Sequence, residues 1–235
     1  MSWSFLLFFC ALVFTISLGV SFYLIKFAKE NNILDQPGER SSHDVPTPRG
    51  GGVAIALAII VCILWVLFKG AGEWASWAWL GVSTSLVALV AIVDDVKGLS
   101  AITRGALYLL FSCMFVWFNE NTPALFLLEL ISIVISVFAL AWMTNLYNFM
   151  DGADGIAAIQ AVIVALPTGS IFLVTNHQDM ALLCFAVVAS ALGFLVWNWA
   201  PAKIFMGDAG SCTLGFFIGC LMYLSYVNEL LSIHV

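Results

Sequence analysis

Four short polar segments hold most of the residues able to do acid–base, metal or phosphate chemistry: Asp35–Gly52, Asp94–Arg104, Asn145–Asp154 and Asn198–Ser211. Asp94 and Asp95 are adjacent carboxylates, which repel unless a divalent cation or a shared proton holds them together. The plainer reading is that they stop a helix at a membrane interface, with Lys97 as a solvated counter-charge. Asn145, Asn148, Asp151 and Asp154 recur every three residues, so a helical or 3₁₀ path lines them along one side. Such amides and carboxylates suit a nucleobase, a sugar or a hydrated metal, although Asp154 alone reads equally well as a helix cap. In the fourth segment, Gly207, Gly210 and Ser211 precede an apolar run. Free N–H groups at a helix start favour phosphate, and Asp208 beside them suggests a magnesium ion bridging protein and phosphate; an ordinary helix cap is the bland alternative. In the first segment, Arg49 or His43 is suited to a diphosphate, or the stretch is a turn-rich connector with a topology-setting arginine.

The elements that carry these segments are set by composition. The 235 residues are 63% hydrophobic and only 9% charged, far from the roughly 25% charged residues of a soluble domain. A net charge of −6 with eight Lys plus Arg leaves no basic face for nucleic acid. The six cysteines lie in apolar runs without CxxC spacing and read as small core residues. Bilayer helices need about 20 mainly apolar residues, and eight runs qualify: Ser4–Ile25, Gly52–Phe68, Ala78–Val93, Gly105–Phe118, Ala124–Thr144, Ile156–Val174, Met180–Trp197 and Cys212–Val227. The fourth is the shortest and competes with a re-entrant segment. The fold expected is an all-α, polytopic bundle in one domain over 1–235. Lys26, Lys29, Arg40, Arg49, Lys97, Arg104 and Lys203 fall on one side of this arrangement and only Lys69 on the other. The positive-inside rule then puts the N-terminus outside and all four polar segments at the cytoplasmic face, with Trp74, Trp77 and Trp79 in an outer aromatic belt. Seven of the eight aspartates share that face, Asp179 being the exception. Avoidance of the bilayer centre explains helix-end carboxylates, but not their one-sidedness; a site does.

Asp94-Asp95, the run Asn145 to Gly155, the run Ala200 to Ser211, and Pro46 to Gly52 together resemble the signatures of the polyprenyl-phosphate N-acetylhexosamine-1-phosphate transferases. The resemblance extends in order over nearly the whole chain and is nearest to the bacterial branch that initiates O-antigen and related surface polysaccharides. It implies a multi-pass enzyme of the bacterial inner membrane that moves a sugar 1-phosphate from a UDP-N-acetylhexosamine to undecaprenyl phosphate, releases UMP and uses Mg²⁺. By motif, Asp208 corresponds to the metal-binding aspartate, with Asp151 close to it. Asp94 corresponds to the carboxylate that activates the lipid phosphate, with Asp95 assisting. Asn145, Asn148, Asp151, Asp154 and Asn198 correspond to residues around the nucleotide. Direct attack by the lipid phosphate and a covalent aspartyl intermediate both fit these residues, and a lipid-facing homodimer is compatible with them. Family members run longer and carry a histidine-bearing cytoplasmic loop after a ninth span. This chain stops at Val235, and its tail histidine, His234, falls on the outer side. The resemblance thus implies a C-terminally incomplete domain with impaired or absent turnover. An ion- or proton-coupled transporter is the competing reading, and it requires carboxylates and broken helices near the midplane. A CDP-alcohol phosphotransferase needs an arginine shortly after its Asp-Gly pair, which Asp151 to Ala158 lacks.

Overall fold

The computed structural model describes residues 2–37, 45–70, 74–119, 127–228 and 230, with the side chains of Leu128 and Glu129 outside the description. Within them run eight helices: α1 Trp3–Glu30, α2 Val53–Phe68, α3 Trp74–Lys97, α4 Ala101–Asn119, α5 Leu127–Met150, α6 Ile156–Val174, α7 Gln178–Asn198 and α8 Asp208–Val227. Seven are long and apolar enough to cross a membrane, and α2, at 16 residues, is the short one. The chain is a polytopic helical membrane protein, as the apolar runs predict.

The helix ends differ from the apolar runs in an informative way. The fourth span, expected to be marginal, is a 19-residue helix that begins at Ala101 and takes in Arg104. Helix α3 runs on through Asp94 and Asp95 to Lys97, α5 runs on to Met150, and α8 begins at Asp208 rather than Cys212. Hydropathy marks where apolar side chains stop, whereas backbone hydrogen bonding continues for as long as polar side chains at a helix end find partners. Most of the second polar segment and the first six residues of the third are therefore helical, whereas 199–207 of the fourth and the described part of the first are not. A short antiparallel pair, β1 Leu34–Asp35 with β2 Thr47–Pro48, registers Leu34 opposite Pro48 and Asp35 opposite Thr47.

Helix α8 is the axis of the bundle. It packs chiefly against α3 and α5 and also against α2, while α7 packs against α6, α1 and α2. Nearly every α8 residue is buried. Its sequence allows this in two ways. The hydroxyls of Ser211, Thr213 and Ser225 donate to the carbonyls of Gly207, Ala209 and Leu221 at 3.0, 2.6 and 2.6 Å, so they are satisfied within the helix. Small residues let neighbouring backbones approach, the usual basis of helix packing in lipid. A Cβ on Gly215 would lie 2.5 Å from the Met143 carbonyl oxygen and 2.7 Å from Tyr147 Cβ. Because the first obstacle is backbone, no rotamer change relieves it. Gly215→Ala is expected to lower stability by about 1–3 kcal/mol through overpacking of α5 against α8. An unchanged thermal midpoint in detergent or nanodiscs would refute that.

The tryptophans near the start of α3 do not form the simple belt that the sequence suggests. Trp74 is exposed, but Trp77 is buried, and Trp79 stacks on Phe118 of α4 with ring centroids 3.7 Å apart. Aromatic packing between α3 and α4 takes up the side chains expected at the interface.

Candidate active site

The site is built around the first turn of α8. Glycine at 207, with φ of 73° and ψ of 174°, sits in a region that only glycine enters readily, and it turns the chain from the preceding loop into the helix at Asp208. That loop is held by the first polar segment. Phe205 donates its N–H to Pro48 O at 2.8 Å, and Gly51 and Gly52 donate to Phe205 O and Met206 O, each at 2.9 Å. Close approach requires glycine here, since a Cβ on Gly52 would stand 2.3 Å from Gly210 Cα. This ladder places Arg49 over the start of α8.

Asp208 is the hub. Its Oδ1 accepts from Arg49 Nη2 at 3.0 Å and from Asn148 Nδ2 at 2.9 Å. Its Oδ2 accepts from Arg104 Nη1 at 2.9 Å. The same Arg104 nitrogen also donates to Asp94 Oδ2, making a bridge between two carboxylates. The other Asp94 oxygen accepts the Leu99 N–H at 2.6 Å, closing the turn after α3. Asp95 points elsewhere: Oδ1 and Oδ2 accept the Asp208 and Ala209 N–H groups, both at 3.0 Å, and Arg49 lies 3.1 Å from Oδ1. Asn148 also reaches Ser211 Oγ at 3.2 Å. Three carboxylates thus share two guanidinium groups, and α2, α3, α4, α5 and α8 or their flanking turns each supply part of the cluster. It lies at helix ends, not at mid-span, against the transporter expectation.

Asp151, just beyond α5, stands beside the hub. Its pKa is pushed up to about 7 by burial and by the charges of Asp208 and Asp95, against the pull of a Gly207 backbone hydrogen bond and Arg49. Burial works against the Arg49 charge, but Asp95, Asp208 and Asp35 outweigh it and hold that guanidinium above its ordinary pKa.

The three-residue spacing of Asn145, Asn148, Asp151 and Asp154 does not become a single row, because α5 ends at Met150 and Gly155 turns with φ of 76°. Asn145 donates back to Ala141 O at 2.8 Å on its own helix. Asp154 accepts the Ala202 N–H at 2.9 Å. Asn198 is buried, accepting from Gly155 N–H at 3.0 Å and donating to Ile204 O at 2.9 Å. Asp154 and Asn198 therefore brace the two site loops against each other. Asn198→Ala leaves two backbone groups without a partner, each worth about 1–3 kcal/mol. The expected result is a lowered thermal midpoint, with Asn198→Asp intermediate because it keeps the acceptor; equal stability of all three proteins would exclude the brace. His43 lies outside the described residues. Arg104 is the residue that sequence reasoning passed over. Its signal was a lone cation one turn into an apolar helix, ten residues after an aspartate.

The donor chemistry fits magnesium. Among the described residues no three acidic, histidine or cysteine side chains form a set that holds a metal by themselves. Magnesium, however, is usually bound through one or two carboxylates, with substrate phosphates completing the sphere. Asp208, with Asp151 and Asp94 close by, supplies hard oxygens of that kind.

The family model described as glycosyl transferase family 4 matches residues 76–226, from the first turn of α3 to the last of α8. The chain belongs to that family. The glycosyl transferase family 4 match takes in Asp94, Asp95, Arg104, Asn148, Asp151, Asp154, Asn198 and Asp208, while Arg49 comes from the segment before it. Among curated relatives, a probable undecaprenyl-phosphate N-acetylglucosaminyl 1-phosphate transferase of Bacillus subtilis is 34% identical over 200 residues, covering 81% of this chain and 55% of the relative. A phospho-N-acetylmuramoyl-pentapeptide-transferase of Listeria welshimeri is 30% identical, covering 89% and 70%. A decaprenyl-phosphate N-acetylglucosaminephosphotransferase of Mycolicibacterium smegmatis is 30% identical, covering 78% and 51%. The chain spans about half to two thirds of the length of these relatives. Multiple spans and bacterial relatives identify a multi-pass protein of the bacterial inner membrane.

Proposed function

We propose that this chain transfers an N-acetylhexosamine 1-phosphate from a UDP-sugar to undecaprenyl phosphate at the cytoplasmic face, in the branch that initiates O-antigen or related surface polysaccharides. The observation that carries the reading is the convergence of Arg49, Arg104 and Asn148 on Asp208, with Asp94 on the same guanidinium. Relatives named for transfer to polyprenyl phosphates support it. In the reaction, an oxygen of the lipid phosphate forms a bond to the sugar-bearing phosphorus. The bridging P–O bond breaks and UMP leaves with that oxygen and its electron pair.

Such transfer depends on positioning and charge neutralisation. Magnesium, held by Asp208 with Asp151, supplies charge neutralisation at the diphosphate when bound. Asp94 is the carboxylate assigned to the proton of the lipid phosphate, which it would reach by exchanging its bond to Arg104. Arg49 and Arg104 orient the phosphates through charge-assisted hydrogen bonds, and Asn148 fixes the Asp208 carboxylate. Helix ends at one membrane face let a lipid headgroup arrive sideways while a nucleotide arrives from water. The test is UMP release and formation of a lipid-linked sugar phosphate from labelled UDP-N-acetylglucosamine or UDP-N-acetylgalactosamine in nanodiscs containing undecaprenyl phosphate and magnesium. Absence of both products from this chain overturns turnover by it, and their absence from a full-length relative carrying the same Asp208 cluster overturns the class of reaction.

A further inference from the structure

Asp94 and Asp95 are neighbours in sequence, but about 100° separates successive residues around a helix, and the two carboxylates serve different partners. Asp94 turns to Arg104 and the Leu99 N–H. Asp95, with a side chain only 10% exposed, gives both oxygens to the first turn of α8. The Asp208 and Ala209 N–H groups are among those that a helix start leaves without intrahelical partners, and Gly207 carries no side chain able to cap them. A Cβ at Gly207 would stand 2.9 Å from Asp95 Oδ2, so the turn is shaped to admit this carboxylate. Asp95 is thus a capping residue supplied by another helix, and Arg49 ties it to the same Asp208 that it positions.

We propose that Asp95 is a positioning residue, which clamps the start of α8 to the end of α3 so that the Asp208 carboxylate is aimed at Arg104 and Asp94. Resting on the reading of Asp208 as the centre of the transfer site, it separates the paired aspartates: Asp94 shares the Arg104 guanidinium with Asp208, and Asp95 acts through the backbone of α8. A charge-assisted bond to each of two backbone N–H groups is among the stronger hydrogen bonds available. An asparagine at 95 keeps one acceptor; an alanine keeps none.

The experiment is hydrogen–deuterium exchange on the full chain in nanodiscs, following the peptide that covers residues 205–212, alongside UMP release. Asp95→Asn is expected to speed uptake in that peptide by about tenfold, and Asp95→Ala by more, with Asp94→Asn unchanged. Turnover should follow the same grading, through kcat with little change in KM for the nucleotide sugar. Unchanged uptake in both Asp95 variants overturns the proposal, as does equal inactivity of Asn and Ala with the peptide still protected, the pattern of a residue acting on substrate or metal. Should Asp95→Ala not fold, the Asn variant decides. A chain without turnover in any form would defeat the proposed function, while the exchange result would still decide the role of Asp95.

Discussion

Asp208→Asn is expected to abolish UMP release, by about a thousandfold or more, while the protein still folds. Removing a preorganised charged group at the point where phosphate charge must be neutralised costs factors of this size. The substitution keeps the shape of the side chain but places an NH₂ where a carboxylate oxygen now accepts. Arg49 and Asn148 share one Asp208 oxygen and Arg104 uses the other, so an amide in either orientation opposes a donor with a donor. Ser170→Ala is the matching control: its exposed hydroxyl on α6 donates back to Leu166 O at 2.8 Å, and turnover should stay within about threefold. An Asp208→Asn protein within tenfold of the parent would sink the assignment of Asp208 as hub.

Arg104→Leu should lower stability and turnover together. It leaves Asp94, with a side chain 4% exposed, and Asp208, 10% exposed, sharing a pocket without the cation between them. Breaking a buried ion pair on one side costs about 3–5 kcal/mol; with Arg104 itself 31% exposed, about 2–3 kcal/mol is the better figure. Turnover should fall at least a hundredfold, because the same guanidinium is proposed to steady the diphosphate. Arg104→Lys separates the two contributions. One nitrogen, Nη1, reaches both carboxylates, and an ammonium with three donors can do the same. The lysine variant should therefore recover most of the stability and turnover. A Leu variant as stable as the parent, or a Lys variant as damaged as Leu, would count against the bridge.

Much of this is legible in the amino-acid sequence alone. Long apolar runs gave the eight helices because lipid leaves few alternatives to a hydrogen-bonded helix, and the four polar interruptions do meet. What eluded the sequence is directional. The seven cations on one side fit a topology rule, and that reading absorbed Arg104, which is a partner of two aspartates. Residue type and spacing put Asp94 and Asp95 together, but which neighbour each faces depends on how α3 is rotated against α8. Asn198 opens the fourth polar segment, yet its side chain is consumed by Gly155 and Ile204, partners supplied by separate turns. The three-residue rhythm through Asn145 to Asp154 ignores the helix end at Met150.

Of the eight described helices, the innermost is the one synthesised after the other seven. Before Asp208–Val227 is in place, Phe115 lacks its edge contacts with Phe216 and Tyr223, and Tyr147 lacks the close approach of Gly215. Asp94 and Arg104 can pair across α3 and α4 beforehand, but the Asp208 carboxylate that Arg104 also holds, and the N–H groups that Asp95 caps, arrive only with α8.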